Sequence, residues 1–412
     1  AAAIELLAEI GAGGEAADQV VDRYFRARRY AGKQDRAAIA GLVWYGVRRS
    51  GSIAWLTGAE GPRVPAMAAV VLTGMADAAT IDEWCNGEGH APAPLSEGER
   101  AGLAALLAPR EVPAWVAGDY PEALHPLLLR RFGPRLPAVM AAMATRAPLD
   151  LRVNTLKADR PEALAELAGL GLPVETCALS PVGMRVAGRE RLGKLAPFME
   201  GRIEVQDEGS QLVALACGAR PGMAVADYCA GAGGKTLALA ADMKGEGRLL
   251  ALDVEDRRLR RMVPRLERAG IDGFVEPAAI DDALLAREAG RFDVVLVDAP
   301  CSLSGTWRRS PAARWSADPL RVAELAALQG RILEAAAGLV KPGGRLVYAT
   351  CSVFIEEDED VVEAFLARHG DFAPVDHEGL IPGVGGGPFG IALDPAGQGT
   401  DGFFVAALVR TA

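Results

Sequence analysis

The stretch Met223-Ala224-Val225-Ala226-Asp227-Tyr228-Cys229-Ala230-Gly231-Ala232-Gly233-Gly234-Lys235-Thr236 decides the fold. Met223 to Tyr228 reads as a buried strand, the glycines as a tight loop, and a helix is expected from Lys235. The cycle then repeats. Strands are expected over Arg248 to Val254, weakly over Phe274 to Ile280, over Phe292 to Val297 and over Gly344 to Thr350, with helical segments between them. A last apolar run follows Asp401-Gly402 and ends at Val409. Strands separated by helices imply an α/β fold with a doubly wound, mostly parallel sheet.

Upstream the pattern changes. Residues 1–145 read as helices, with apolar spacing at Val20, Val21, Tyr24, Phe25 and at Ile39, Leu42, Val43, Val47. Residues 146–205 open with a strand over Asp150 to Thr155 and a helix over Arg160 to Gly169, which reads as a small α/β subdomain. Residues 206–412 then hold the main sheet, so three domains are expected in 412 residues.

The glycine loop admits three readings. A phosphate-binding loop needs glycine where Cys229 stands, so that reading fails. A dinucleotide fingerprint is matched only in part, because Thr236 takes its last glycine position. An S-adenosyl-L-methionine site uses the same logic: backbone close to the ligand, free N–H groups at a helix start, and an acid for a ribose. Asp253 supplies that acid at the end of the second strand, roughly 20 residues beyond the loop. The third reading is favoured.

Asp298-Ala299-Pro300-Cys301-Ser302 and Ala349-Thr350-Cys351-Ser352 follow the ends of the fourth and fifth strands. Ligands of open α/β sheets sit beyond those ends, so both thiols are expected in one cleft. A thiolate that adds to carbon 6 of cytosine makes carbon 5 nucleophilic, and a carboxyl group can hold the N3 edge. Asp298, Cys301 and Cys351 provide that set. Buried cysteine is common as a small apolar residue, which suits Cys85, Cys177 and Cys217. Cys229 is intermediate and is expected to pack in the loop. With six cysteines and no Cys-x-x-Cys spacing, neither a metal cluster nor a disulfide framework is expected. Reduced thiols point to a cytoplasmic enzyme, and no membrane span or signal peptide is read.

The net charge of −10 disfavours indiscriminate nucleic-acid binding, but local patches outweigh the total. Arg28, Arg29 and Arg36 lie among Tyr24, Phe25, Tyr30, Trp44 and Tyr45, a mixture that suits RNA as well as it suits a helical core. Trp307-Arg308-Arg309-Ser310-Pro311 and then Arg314-Trp315 follow the Cys301 loop, where arginine, Arg308 and Arg309 above all, and tryptophan suit phosphate contact and base stacking. The arginines from Arg257 to Arg268 read as a solvated helix face.

Taken together, Cys-Ala-x-x-Gly-Gly-Lys-Thr, Asp-Ala-Pro-Cys-Ser and Ala-Thr-Cys-Ser resemble the bacterial ribosomal RNA small-subunit methyltransferase B (Fmu/Sun) family of RNA cytosine-5 methyltransferases. Leu151 to Thr155, Val205 to Gln211 and Asp401 to Phe404 also match its signatures. Asp35-Arg36 and Leu42 to Arg49 are similar to its N-terminal helical domain, which resembles the NusB-type RNA-binding fold. The resemblance implies a Rossmann-like class I methyltransferase sheet and a 5-methylcytosine product in small-subunit rRNA. It makes Cys351 the nucleophile and Cys301 an aid to product release. Asp298 would contact the cytosine, and Lys235 would reach the base. Cys229, Ala230, Gly231, Ala232, Gly233, Gly234, Lys235, Asp253, Asp281 and Asp298 would line the methyl-donor site, with Asp207 structural nearby. A monomer acting on a flipped or single-stranded base, without metal, is expected. Three departures stand out: Gly231-Ala232 replaces the family's Ala-Pro, Ile280-Asp281-Asp282 stands near where the family has Gly-Asp, and a histidine before the closing Gly-Thr-Asp-Gly is absent. The same catalysis on tRNA or large-subunit rRNA, a dinucleotide oxidoreductase and a non-enzymatic RNA-binding assembly factor are the competing readings. The oxidoreductase leaves both Cys-Ser loops unexplained, and the assembly factor implies that Cys351→Ala still does everything the protein does.

Overall fold

A computed structural model describes residues 1–59, 61–188, 190 and 192–411. The chain forms two compact units: Ala1–Thr145 with Trp307–Asp318, and Arg146–Thr306 with the chain from Pro319. Twelve strands are described: β1 (Leu149–Val153), β2 (Val174–Thr176), β3 (Gly183–Val186), β4 (Ile203–Val205), β5 (Ala224–Asp227), β6 (Arg248–Asp253), β7 (Val275–Ala279), β8 (Phe292–Asp298), β9 (Val340–Thr350), β10 (Phe372–Pro374), β11 (Ile391–Leu393) and β12 (Phe403–Arg410).

The large sheet runs β10-β12-β9-β8-β5-β6-β7, with β11 beside β12. Strands β5 to β9 pair in parallel, as expected from the helices between them. Strand β12 returns antiparallel between β9 and β10. Alternate residues divide between two cores. Val225, Leu249, Val294, Leu296 and Val347 face the helices Glu208–Ala216 and Gly234–Asp242. Ala226, Leu250, Val295, Val297 and Leu346 face the helix Pro319–Ala337. Burial on both faces explains the unbroken apolar runs. Strand order reverses between β5 and β8, so the ligand crevice is expected beyond Asp227 and Asp298.

Strand β9 begins four positions before its expected start. Lys341-Pro342-Gly343-Gly344 carries poor strand formers, and pairing slips there: Phe292 meets Val340, but Val294 meets Arg345.

The smaller sheet is antiparallel, in the order β2-β3-β1-β4, and the helix Arg160–Gly169 follows β1. That helix starts in a capping box, Asp159 accepting from the Glu162 N–H and Glu162 from the Asp159 N–H. Arg185 on β3 grips Asp150 on β1 through two bonds of 2.7 and 2.9 Å and pairs with Glu208 at 3.4 Å. Asp150 also accepts from the Glu208 N–H. Asp150, Cys177 and Glu208 come close enough to suggest a cation site, but the Arg185 guanidinium already supplies the positive charge. Burial pushes the Cys177 thiol up, which keeps it protonated.

Among the described residues, Ala1–Thr145 contains only helices and turns. Its buried Asp119 accepts from the Ser52 N–H and hydroxyl, at 2.8 and 2.9 Å, and pairs with Arg49. The segment Trp307–Asp318 belongs to this unit. Trp307 and Arg314 are fully buried, and Arg314 donates to the Asp119 carbonyl at 2.8 Å. Trp315 covers Gly51 so closely that a Cβ there would sit 2.1 Å from its ring. No described helix is long and apolar enough to cross a membrane.

Removing Arg185 would leave two buried carboxylates without their cation. Arg185→Met is expected to cost about 3–5 kcal/mol, read as a lowered urea midpoint of the second unit.

Candidate active site

The glycine loop is held from three sides. Gly231 and Gly233 have φ of +56° and +85°, a region open to glycine. A Cβ on Gly233 would lie 2.5 Å from Met262 Cγ, so this packing also demands glycine. Arg265 donates to the Ala232 carbonyl. Asp253 is buried, and its carboxylate accepts from the Gly231 and Glu255 N–H groups, each at 2.9 Å, and pairs with Arg258 at 3.2 Å. Arg258, Arg265 and Arg268 therefore turn inward, the last two onto Glu204, and only part of this arginine-rich helix is a solvated face.

Asp227 ends β5. One carboxylate oxygen accepts from the Thr236 hydroxyl at 2.7 Å, and the other is buried with no protein partner. Burial raises its pKa to about 7 despite the Thr236 bond. Cys229 packs in the loop, and burial keeps its thiol protonated. Asp281 is exposed and caps the helix Asp282–Glu288 by accepting from the Leu284 N–H at 2.7 Å. Asp207 caps the helix Glu208–Ala216 through the Gly209 N–H.

The two thiols meet. Cys301 Sγ lies 3.3 Å from Cys351 Sγ. Their strands are neighbours in which Asp298 pairs with Ala349, and the Ala299 N–H donates to the Ala349 carbonyl. Beyond Cys301 the backbone turns at Leu303, whose φ is +60°. The Gly305 N–H then reaches the Cys351 carbonyl at 2.9 Å, and the Gly402 N–H reaches the Gly305 carbonyl at 2.8 Å. A Cβ on Gly305 would lie 2.0 Å from the Gly402 oxygen. The closing Asp401-Gly402 thus fastens the loop between the thiols.

Lys235 bonds Asp298 through Nζ at 2.6 Å, and its ammonium lies 5.3 Å from the centre of the Phe403 ring. Burial would lower the Lys235 pKa, but the Asp298 charge and hydrogen bond override it and the net shift is upward. The Cys301 thiol is pushed well up, first by its hydrogen bond with Cys351, then by burial, the Cys351 charge and the Glu357 charge. The pair can therefore carry one negative charge more readily than two.

Sequence reasoning missed Glu357. It is fully buried and accepts from the Ser302 N–H and hydroxyl, from the Ser352 hydroxyl and from Gln329. Its one signal was the serine that follows each cysteine.

The arginines expected on RNA differ in position. Arg308 is buried, while Arg309 is exposed. Arg36 donates to the carbonyls of Ala31, Arg28 and Arg29. Arg28 lies over the Tyr24 ring at 3.7 Å and pairs with Glu5. Arg29 is exposed.

Comparison with known proteins agrees with this geometry. A family model described as 16S rRNA methyltransferase RsmB/F matches residues 214–409, and one described as an RsmF/B-like ferredoxin-like domain matches 120–191. Ribosomal RNA small subunit methyltransferase B of Pseudomonas syringae pv. tomato is 35% identical over 358 residues, 85% of this chain and 78% of that protein. The solved protein PH0851 is 27% identical with a TM-score of 0.80, over 99% of this chain and 97% of that one. A methyltransferase homologue from Pyrococcus horikoshii is 27% identical with a TM-score of 0.61, over 72% and 97%.

Two outcomes are expected. Gly305→Ala should destabilise the protein by about 1–3 kcal/mol in thermal unfolding, because backbone must move to admit the methyl group. Asp227 holds its proton in the folded state up to about pH 7, whereas an unfolded aspartate releases it near pH 4. Its contribution to stability therefore falls as pH rises through that window. Asp227→Asn should flatten that fall when unfolding is measured across it.

Proposed function

The chain belongs to the 16S rRNA methyltransferase RsmB/F family, and from that premise we propose that it methylates carbon 5 of a cytosine in small-subunit ribosomal RNA. The observation that carries the reading is the pair of sulfurs 3.3 Å apart beside the Lys235–Asp298 ion pair. Two thiols, a cation and a carboxylate at a strand-order reversal suit covalent chemistry on a pyrimidine.

The methyl-donor pocket fits S-adenosyl-L-methionine. Gly231 and Gly233 keep the loop open to a ligand, Asp253 offers a buried carboxylate for a ribose, and one Asp227 oxygen is buried with no protein partner. When bound there, S-adenosyl-L-methionine supplies a methyl group as a sulfonium electrophile. Cys229 to Lys235 would surround it with backbone, while Asp281, already a helix cap, is the weakest of the proposed contacts.

Cys351 is the proposed nucleophile. Its sulfur forms a bond to carbon 6 of the cytosine, and the displaced electron pair makes carbon 5 nucleophilic. Asp298 holds the N3 edge, and Lys235 keeps Asp298 in place while balancing its charge. After methylation, carbon 5 loses its proton and the sulfur–carbon bond breaks, with the electrons returning to sulfur. Cys301 assists that release from 3.3 Å. Arg29 and Arg309, both exposed, are the proposed RNA contacts; Arg28 and Arg36 shape the fold around Arg29.

Cys351→Ala is expected to abolish methyl transfer while S-adenosyl-L-methionine affinity is unchanged. Cys301→Ala should accumulate a covalent RNA–protein adduct that survives a denaturing gel. Mapping of 5-methylcytosine in small-subunit rRNA, with and without the protein, checks the product. A Cys351→Ala enzyme that methylates normally would refute the nucleophile.

A further inference from the structure

We propose that Glu357 is a positioning residue that fastens both Cys-Ser loops to one buried carboxylate and so holds the two sulfurs at their working separation; the proposal rests on the cytosine-methylation reading above.

The carboxylate has four donors. One oxygen accepts from the Ser302 N–H and from Gln329 Nε2, each at 2.9 Å. The other accepts from the Ser302 hydroxyl at 2.5 Å and the Ser352 hydroxyl at 2.6 Å. Ser302 directly follows Cys301, and Ser352 directly follows Cys351. The second Gln329 N–H reaches the Pro300 carbonyl at 3.0 Å, so the peptides on both sides of Cys301 are tied to this cluster. Ser304 adds a cross-link, with its hydroxyl 3.1 Å from that of Ser352 and accepting from the Val353 N–H at 2.9 Å. Glu357 is itself fixed to β9, because the Tyr348 hydroxyl donates to its carbonyl at 2.6 Å.

An apolar residue could fill this space without the cost of burying a charge. What a carboxylate adds is one acceptor that both loops share. Losing it would release the peptides around Cys301 and the residue after Cys351 together, so the 3.3 Å between the sulfurs depends on it.

The test uses the full chain and Glu357→Gln, Glu357→Asp and Ser352→Ala variants. Alkylation of Cys301 and Cys351 by iodoacetamide is followed against pH and assigned by peptide mass. In parallel, kcat and KM are measured on unmethylated small-subunit rRNA, and S-adenosyl-L-methionine affinity by titration. Glu357→Gln should lower kcat about a hundredfold, the scale of a misplaced reacting group, with KM and donor affinity within about twofold. Alkylation of both Cys301 and Cys351 should change, because both loops are released together. Glu357→Asp keeps a carboxylate and should restore part of kcat. An unchanged alkylation profile at either thiol in Glu357→Gln, or an unchanged kcat, overturns the proposal. Should Glu357→Gln fail to fold, Ser352→Ala decides: lower kcat at unchanged KM supports the clamp, and wild-type kcat refutes it. If the wild-type chain transfers no methyl group to RNA, the functional reading fails, while the alkylation profiles still decide the role of Glu357.

Discussion

Parallel pairing of β8 with β9 governs the rest of the site. Asp298 stands opposite Ala349, so the chain leaves both strands at the same level and each cysteine follows within three residues. A slip of one residue would move a strand end by roughly 3.3 Å and turn its side chains to the other face. Such a slip would bury the wrong set. Val294 and Leu296 serve one core, and Val295 and Val297 serve the other. The separation of the sulfurs is thus set by apolar packing well below them. The chemistry inherits its precision from the core, and the Gly305–Gly402 contact only completes what the register begins.

The core could be read from sequence because its signals are local. Apolar runs, glycines between strand and helix, and a cysteine after each strand end are visible without knowing what lies across the fold. Strand β9 shows the limit of that method: Lys341 to Gly344 pairs only because a bulge absorbs the mismatch. The segment Trp307–Asp318 shows it more sharply. Tryptophan and arginine beside a cysteine loop read as an RNA contact, yet Arg314 answers the Asp119 carbonyl, 195 residues earlier. No local pattern announces a partner at that distance. Glu357 was hidden for the same reason. It stands in the acidic run Glu356 to Asp360, and its donors Gln329 and Ser302 lie 28 and 55 residues away.

Family membership and geometry answer different questions. The matches place the chain among 16S rRNA methyltransferases RsmB/F, and they say nothing of what holds the two thiols together. The geometry supplies that: Glu357 is tied to the residue after each cysteine, and the sulfurs lie 3.3 Å apart.

Two buried carboxylates near the glycine and thiol loops make the principle general. Asp227 has one hydroxyl donor and one oxygen without a partner, so burial wins and its proton is retained up to about pH 7. Glu357 is as deeply buried but has four donors on its two oxygens. The two thus differ in donor count rather than in depth. A neutral Asp227 relieves repulsion with Asp253 and Asp298, its acidic neighbours. Those two carboxylates are instead paired with cations, Asp253 with Arg258 and Asp298 with Lys235.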